Sequence, residues 1–323
     1  MSLLEASVSL DIAPAKKSQH VAILMATYNG ARFIAEQLAS IEHQEHSDWK
    51  LFVSDDGSTD GTPEILEETR QRLGESRFKW SVGPQCGFVV NFLSLVCSTD
   101  AKADFYAWSD QDDIWCADKL EVALKWLNSV PDSLPALYCG RSELVCESGL
   151  HVGVSPLFIR PPSFANSLVQ NIGGGNTMVF NKAARELLLE AGMKTAVPSH
   201  DWWAYQLISG AGGIVHYDPQ PKILYRQHGG NLVGSNVGWG SRLMRMRMVF
   251  EGRFKTWNDQ TINALDLMQH RLTEEHKVTL KNFKQARNRA LPFRALGCLR
   301  ARIHRQTLLG NLGLVLAVIL NRF

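Results

Sequence analysis

Residues 105–115 read FYAWSDQDDIW, an apolar run that gives way within two positions to Asp110, Asp112 and Asp113. The run predicts a buried strand over 104–108. A strand ending in clustered carboxylates cannot bury that charge unpaired, so the acids must be solvated, salt-bridged or bound to a cation. Strand alternation carried past Trp108 sends Asp110 and Asp112 to one side. Two hard oxygen ligands on one face suit Mg²⁺ or Mn²⁺, whose other ligands can be water and phosphate oxygens. Taken alone, an Asp-x-Asp is equally a solvated acidic turn, so its surroundings decide.

Upstream, the run VAILM (21–25) predicts a buried strand that ends in Thr27-Tyr28-Asn29-Gly30. Phe33, Ile34, Leu38 and Ile41 then follow at helical spacing. Trp49 to Val53 predicts a second strand, stopping at Ser54-Asp55-Asp56-Gly57-Ser58-Thr59-Asp60. Thr62 and Pro63 fit the N-cap and first position of a helix reaching Leu73. A weaker strand (78–82), a helix (87–96), the strand 104–108 and a helix (118–127) complete the half. Strands alternating with helices predict an α/β fold with a mostly parallel sheet. In such sheets ligands sit beyond the carboxyl ends of the strands. The turns TYNG, SDDGSTD and SDQDD should therefore converge at one rim, which argues against a merely solvated acidic turn.

The second half is less regular. A strand is expected at 137–139 and a short helix over 163–170. The glycine-rich turn Gly173-Gly174-Gly175-Asn176 should run into a strand at 178–180 and a helix over 182–191. Ser199 is a candidate cap for a helix around 200–209, and late strands fit 214–217 and 223–225, the latter followed by Arg226-Gln227-His228.

The 45% hydrophobic fraction excludes disorder, and 323 residues allow one large domain or two. Six cysteines without a CxxC pair read as reduced thiols of a cytosolic chain. Residues 1–17 read as a loose arm rather than a signal peptide. The net charge of +2 conceals an asymmetry: residues 241–323 hold 16 Lys+Arg against 5 Asp+Glu, a balance of +11, and residues 1–240 are at −9. Such a basic tail suits nucleic acid or an anionic membrane, and the absence of interleaved aromatics argues against nucleic acid. Thr307 to Leu320 is apolar apart from Asn311; as a helix it spans only ~21 Å against a ~30 Å hydrocarbon core. It suits either an interfacial membrane helix or a helix packed on the body or on a second subunit.

No Walker A loop and no GxGxxG follows the first strand, so neither a P-loop nor a dinucleotide site is expected. A carboxylate at Asp55 or Asp56 can accept from a base N–H or a ribose hydroxyl. Asp201, in His200-Asp201-Trp202-Trp203, is the candidate general base, with tryptophan faces available to sugar C–H groups; the alternative is a first-turn helix charge beside core tryptophans. His228 fits a third metal ligand and Arg226 a phosphate partner, or both are structural.

The ordered set TYNG, SDDGSTDGT, SDQDDIW, GGNTMVFN, HDWW and YRQHGGN resembles family 2 glycosyltransferases of the GT-A fold over roughly residues 18–235. Within them it is similar to bacterial rhamnosyltransferases of O-antigen and cell-wall polysaccharide synthesis. The resemblance implies a Rossmann-like, mostly parallel sheet with helices on both faces over 18–240, a nucleotide-sugar half at 18–115, an acceptor half at 116–240, and a basic helical region at 241–323. It implies Thr27, Tyr28, Asp55, Asp56, Asp110 and Arg226 around a nucleotide-sugar donor, dTDP-L-rhamnose being favoured. Asp110, Asp112 and His228 would meet Mg²⁺ or Mn²⁺, and Asp201 would be the base of an inverting displacement. Trp202, Trp203, Asn176 and His200 would border a saccharide or lipid-linked saccharide acceptor at the inner membrane face. The rival readings are a UDP-hexose-using member of the family, a sugar nucleotidyltransferase, and a catalytically silent sugar-nucleotide-binding partner.

Overall fold

The computed structural model describes residues 19–229 and 252–323. The expected arm at 1–17, the boundary at 240/241, Asn231 and the methionines Met244, Met246 and Met248 lie outside the described residues.

Four parallel strands form the centre: β1 (Val21–Thr27), β2 (Trp49–Asp55), β3 (Phe78–Val82) and β4 (Phe105–Ser109). Every residue of β1 and β4 is buried, as near-continuous apolar runs require when helices cover both faces of a parallel sheet. Alternate side chains enter two cores. Ala22, Leu24, Tyr106 and Trp108 face one, with Phe92 and Leu95 of α3 (Phe88–Cys97). Val21, Ile23, Phe105 and Ala107 face the other, with Ile34 and Leu38 of α1 (Ile34–Glu42) and Leu66 of α2 (Thr62–Leu73). Emptying a site such as Trp108, wholly buried, costs about 3–5 kcal/mol.

Past β4 the chain makes β5 (Ile114–Trp115), α4 (Lys119–Leu127), β6 (Ala136–Gly140), β7 (Glu143–Cys146), β8 (His151–Val154), α5 (Phe164–Ser167), β9 (Val179–Asn181), α6 (Lys182–Ala191), α7 (His200–Gly210), β10 (Ile214–Asp218) and β11 (Ile223–Gln227). The main sheet runs β10-β6-β9-β4-β1-β2-β3. Only β9 is reversed, antiparallel to both β4 and β6, so the expected mostly parallel α/β sheet is present. A second sheet, β5-β11-β7-β8, contains three strands the sequence did not announce. They are two to four residues long and only partly buried, too short for alternation to register.

Several local expectations need correction. Thr62 is inside α2, its hydroxyl donating to Asp60 Oδ1 and accepting from Gly30 N–H. Ser199 makes no side-chain cap. Ser163 does cap, but the helix it starts is one turn, not eight residues.

Among the described residues four α-helices follow: α8 (Arg253–Leu267), α9 (Glu274–Arg287), α10 (Leu291–Arg300) and α11 (Leu308–Leu320). Ile262, Leu265, Leu280, Phe283, Leu314 and Val318 from this region join the core that holds Trp108.

Candidate active site

The parallel pairing aligns the carboxyl ends of β1, β2 and β4: Thr27 is level with Asp55, and Met25 with Ser109. All three acidic or polar turns therefore leave the sheet at one edge. The Thr27 hydroxyl donates to Asp55 Oδ1 at 2.8 Å, and Ser58 adds its N–H at 2.9 Å and its hydroxyl at 2.5 Å. Asp55 is buried and engaged within its own turn, which leaves it little to offer a ligand. Asp56 is partly open; its two oxygens accept from Gln85 N–H at 2.6 Å and Gly87 N–H at 2.9 Å. Tyr28 stands out from the rim, 58% exposed.

The strand before the acidic cluster stops at Ser109, so alternation does not place Asp110 and Asp112. A turn does. Gln111 fixes that turn to the loop after β1, its amide accepting from Tyr28 N–H at 2.8 Å and donating to Tyr28 O at 3.0 Å. Gly30 is required by this clamp, since a Cβ there would stand 2.3 Å from Gln111 Oε1.

The three acids have different surroundings. Asp113 is fully buried, accepting from Asn176 Nδ2 at 2.6 Å and Arg226 N–H at 3.2 Å. Burial first, then the charge of Asp112, pushes its carboxyl up to about 8. Asp110 is partly open; desolvation, then repulsion from Asp113, Asp112 and Asp201, holds it well above the usual carboxylate range. Asp112 Oδ2 lies 2.7 Å from His228 Nε2. Lys119, buried with its ammonium 3.7 Å from the Trp115 ring, is lowered to about 7 by burial, with Asp113 pulling the other way.

Asp201 starts α7. Its Oδ2 accepts from Asn171 Nδ2 at 3.0 Å and Gly175 N–H at 3.2 Å, and its Oδ1 from Trp202 N–H at 2.7 Å. The 3₁₀ turn Gly175–Thr177 thus holds one acid with each of two consecutive residues: Gly175 takes Asp201, and Asn176 takes Asp113. Residues 88 positions apart in the chain are held by neighbouring residues, one through a backbone N–H and the other through a side-chain amide, and the field of Asp201 reaches Asp110.

Other expected contacts fall elsewhere. Trp202 and Trp203 are 7% and 0% exposed, which leaves no face for a sugar ring; both are core, with Trp202 Nε1 donating to Ser167 O at 2.6 Å. His200 is also buried, stacked on Phe92 at 3.9 Å and edge-on to Trp108 at 4.7 Å, and burial lowers it to about 4. Asn176 is a buried strut. Arg226, 1% exposed, spends its guanidinium on Asp112 O (3.1 Å), Glu147 O (2.6 Å) and Glu36 (2.6 Å). These contacts make it a brace beneath the acidic turn.

Among the described residues, no three His, Cys, Asp or Glu side chains form a preformed metal cage. The donor set fits instead an ion held by one or two carboxylates and completed by water and phosphate oxygens. Mutual repulsion among Asp110, Asp112 and Asp113 is the observation that fits a cation here, since a cation relieves it. Gln111, Asp113, Asn171 and Glu36 were missed as site residues. Only Asp113 carried a signal, as the third acid of the cluster.

A mostly parallel sheet whose carboxyl edge gathers these acids under one rim, with a first-turn aspartate tied to the same turn, is the arrangement expected of the GT-A fold. Residues 22–145 match the model of "Glycosyl transferase family 2". The chain is 32% identical over 257 residues to the dTDP-rhamnosyl transferase RfbG of Shigella flexneri, covering 75% of this chain and 84% of that protein. It is 29% identical over 157 residues to the UDP-Glc:alpha-D-GlcNAc-diphosphoundecaprenol beta-1,3-glucosyltransferase WfgD of Escherichia coli, covering 48% of this chain and 57% of that protein. The chain belongs to the family 2 glycosyltransferases. Among solved structures, S. aureus TarS 1–349 in complex with UDP-GlcNAc superposes with a TM-score of 0.52 at 16% identity, over 88% of this chain and 89% of that one. The mannosyltransferase PcManGT from Pyrobaculum calidifontis, in complex with GDP-Man and Mn²⁺, gives 0.50 at 17%, over 97% and 89%. At those identities the likeness speaks for the fold.

Proposed function

We propose that this glycosyltransferase inverts the anomeric centre while moving L-rhamnose from dTDP-L-rhamnose to a saccharide hydroxyl in cell-surface polysaccharide synthesis, with Asp201 as base. The observation that supports the mechanism is the Gly175–Asn176 bridge, in which neighbouring residues hydrogen-bond to Asp201 and to Asp113 of the acidic turn. The likeness to RfbG over three quarters of the chain supports the donor.

The acceptor hydroxyl gives its proton to an Asp201 carboxylate oxygen as its own oxygen bonds to the anomeric carbon. The bond from that carbon to the diphosphate oxygen breaks, and its electron pair leaves with the nucleotide. A single displacement inverts the centre, without a second nucleophile. Asn171, Gly175 and Trp202 hold the Asp201 carboxylate in one orientation by three N–H donors. Tyr28 and Asp56 border the base. Mg²⁺ or Mn²⁺, held by Asp110 and Asp112 with His228 alongside, would offset diphosphate charge. In this reading residues 18–115 serve the donor, 116–240 the acceptor, and 241–323 bring the protein to the inner face of the membrane, where a lipid-linked saccharide is the acceptor.

The test is a panel of nucleotide sugars with Mg²⁺ or Mn²⁺ and a saccharide acceptor, scoring nucleotide release and sugar transfer. Transfer from dTDP-L-rhamnose that falls by orders of magnitude in Asp201→Asn supports the reading. Preference for UDP-glucose would favour the second reading, for which the match to WfgD speaks, and leave the base assignment standing.

A further inference from the structure

We infer that α10 and α11 form a docking face for an anionic lipid bilayer, with the helices lying in the interfacial plane. This deepens the membrane contact proposed for residues 241–323 by naming its surface; it rests on that part of the proposed function and on no donor, metal or base assignment.

Helix α11 is LLGNLGLVLAVIL, apolar around its circumference apart from Asn311. Such a helix is ordinarily buried on all sides. Here only one side is: Leu314, Ala317 and Val318 enter the core. On the other side Leu308, Leu312, Val315 and Ile319, spaced by three or four residues, are 79%, 58%, 55% and 51% exposed. Neighbouring α10 repeats the pattern. Its Arg294 and Cys298 point inward, and Phe293, Leu296 and Leu299 are 59%, 43% and 74% exposed. The two helices are fixed to each other, because the buried Arg294 guanidinium donates to Val318 O at 2.9 Å near the end of α11. Exposed apolar rows on two joined helices mark a contact surface rather than single scattered residues.

Charge selects the occupant. Between Arg289 and Phe323 there are six arginines and no aspartate or glutamate. Arg289, Arg300, Arg302 and Arg322 are exposed. Apolar rows with cationic side chains and no acid match the interface of a membrane containing anionic lipid, where acyl chains take the leucines and headgroups the arginines. A nucleic acid would engage the arginines and leave the Leu and Phe rows in water. The 13 residues of α11 make a helix ~20 Å long against a ~30 Å hydrocarbon core. Among the described residues no helix is long and apolar enough to cross a membrane, so the geometry fits lying in the plane.

The experiment is flotation of the full chain with vesicles of phosphatidylcholine alone or mixed with phosphatidylglycerol. Binding should require phosphatidylglycerol, weaken with added salt, and fall at least about tenfold in Leu312→Glu/Val315→Glu and in Arg300→Glu/Arg302→Glu. Thermal melts and turnover on a water-soluble acceptor should match wild type in both variants, separating lost docking from lost folding or catalysis. Equal binding to both vesicle types would overturn the inference. So would absence of vesicle binding, with or without a stable dimer that Leu312→Glu/Val315→Glu dissolves; the dimer would make the face a contact with a second copy.

Discussion

The carboxyl edge of the main sheet and the paired helices α10 and α11 depart from ordinary burial in opposite directions. The edge draws charge inward: Asp113 and Lys119 are buried, and Asp110 is crowded by like charges. The helices push apolar side chains outward. The central strands keep the rule, with β1 and β4 wholly buried. Burying carboxylates and exposing leucines both reduce stability, and neither is needed to form the sheet. Each instead points to something the folded chain meets, a cation with a diphosphate at one region and a lipid surface at the other. If that contrast is right, substitutions at the edge should damage chemistry, and substitutions on the helix face should leave it intact.

The largest effect is expected at Asp201. Asp201→Asn keeps an acceptor oxygen for the Gly175 and Asn171 donors but cannot take a proton. Transfer should fall about 10²–10⁴-fold, with donor affinity, measured by calorimetry, within a few-fold of wild type. Turnover close to wild type would remove Asp201 as base and with it the reason for the bridge.

His200 tests the edge through stability. Burial depresses its pKa from an ordinary 6.5 to about 4. Below 6.5 the unfolded chain takes up a proton that the folded chain refuses. The stabilisation is therefore complete above 6.5, declines as pH falls, and is gone below about 4. The interval corresponds to about 3 kcal/mol. Denaturant titrations of wild type and His200→Gln should converge by about that amount between those pH values, since other groups titrate in both. Parallel curves would mean that this imidazole is hydrated in solution.

Asn176 is next. Asn176→Ala removes the Asp113 half of the bridge and leaves the Gly175 half. A group that positions metal-facing acids should cost about 10–100-fold in activity or metal affinity when removed, and the Mg²⁺ or Mn²⁺ concentration for half-maximal transfer should rise. A drop in melting temperature without a shift in metal dependence would make Asn176 a packing residue only.

The parts of this picture legible in sequence are those written in local pattern. The runs VAILM, WKLFV and FYAW gave β1, β2 and β4, and their polar ends gave the rim, because a parallel strand and its turn are contiguous. The second sheet was not legible, since β5, β7 and β8 are short and defined by distant partners. The roles around Asp201 were only partly legible. His200-Asp201-Trp202-Trp203 reads equally as a sugar-lining segment and as a first-turn charge beside core tryptophans, and every residue of α7 except Asp201 is buried. The continuous low polarity of WWAYQLISG was the available sign of a central helix. Arg226 is expected at a phosphate or in a structural role, and Asn176 at the acceptor by resemblance. Their hydrogen-bond partners Glu36, Glu147 and Asp113 lie 63 to 190 residues away, beyond the reach of spacing.

The smallest effect is expected on the helix face, and its smallness is what separates the two regions. Leu312 is 58% exposed and Val315 55%, so a glutamate at either position meets water and leaves the buried row of Leu314, Ala317 and Val318 in place. Surface substitutions of this kind typically change stability by no more than about 0.5 kcal/mol. Leu314→Ala, one residue from Val315 but facing the core, should cost about 2–5 kcal/mol. Urea titration of Leu312→Glu and Leu314→Ala side by side therefore reads the two faces of α11 against each other. A large loss in Leu312→Glu would mean that the outer row is already covered within this chain, and the contrast between a charged interior and an apolar exterior would collapse to one unusual region, the acidic edge.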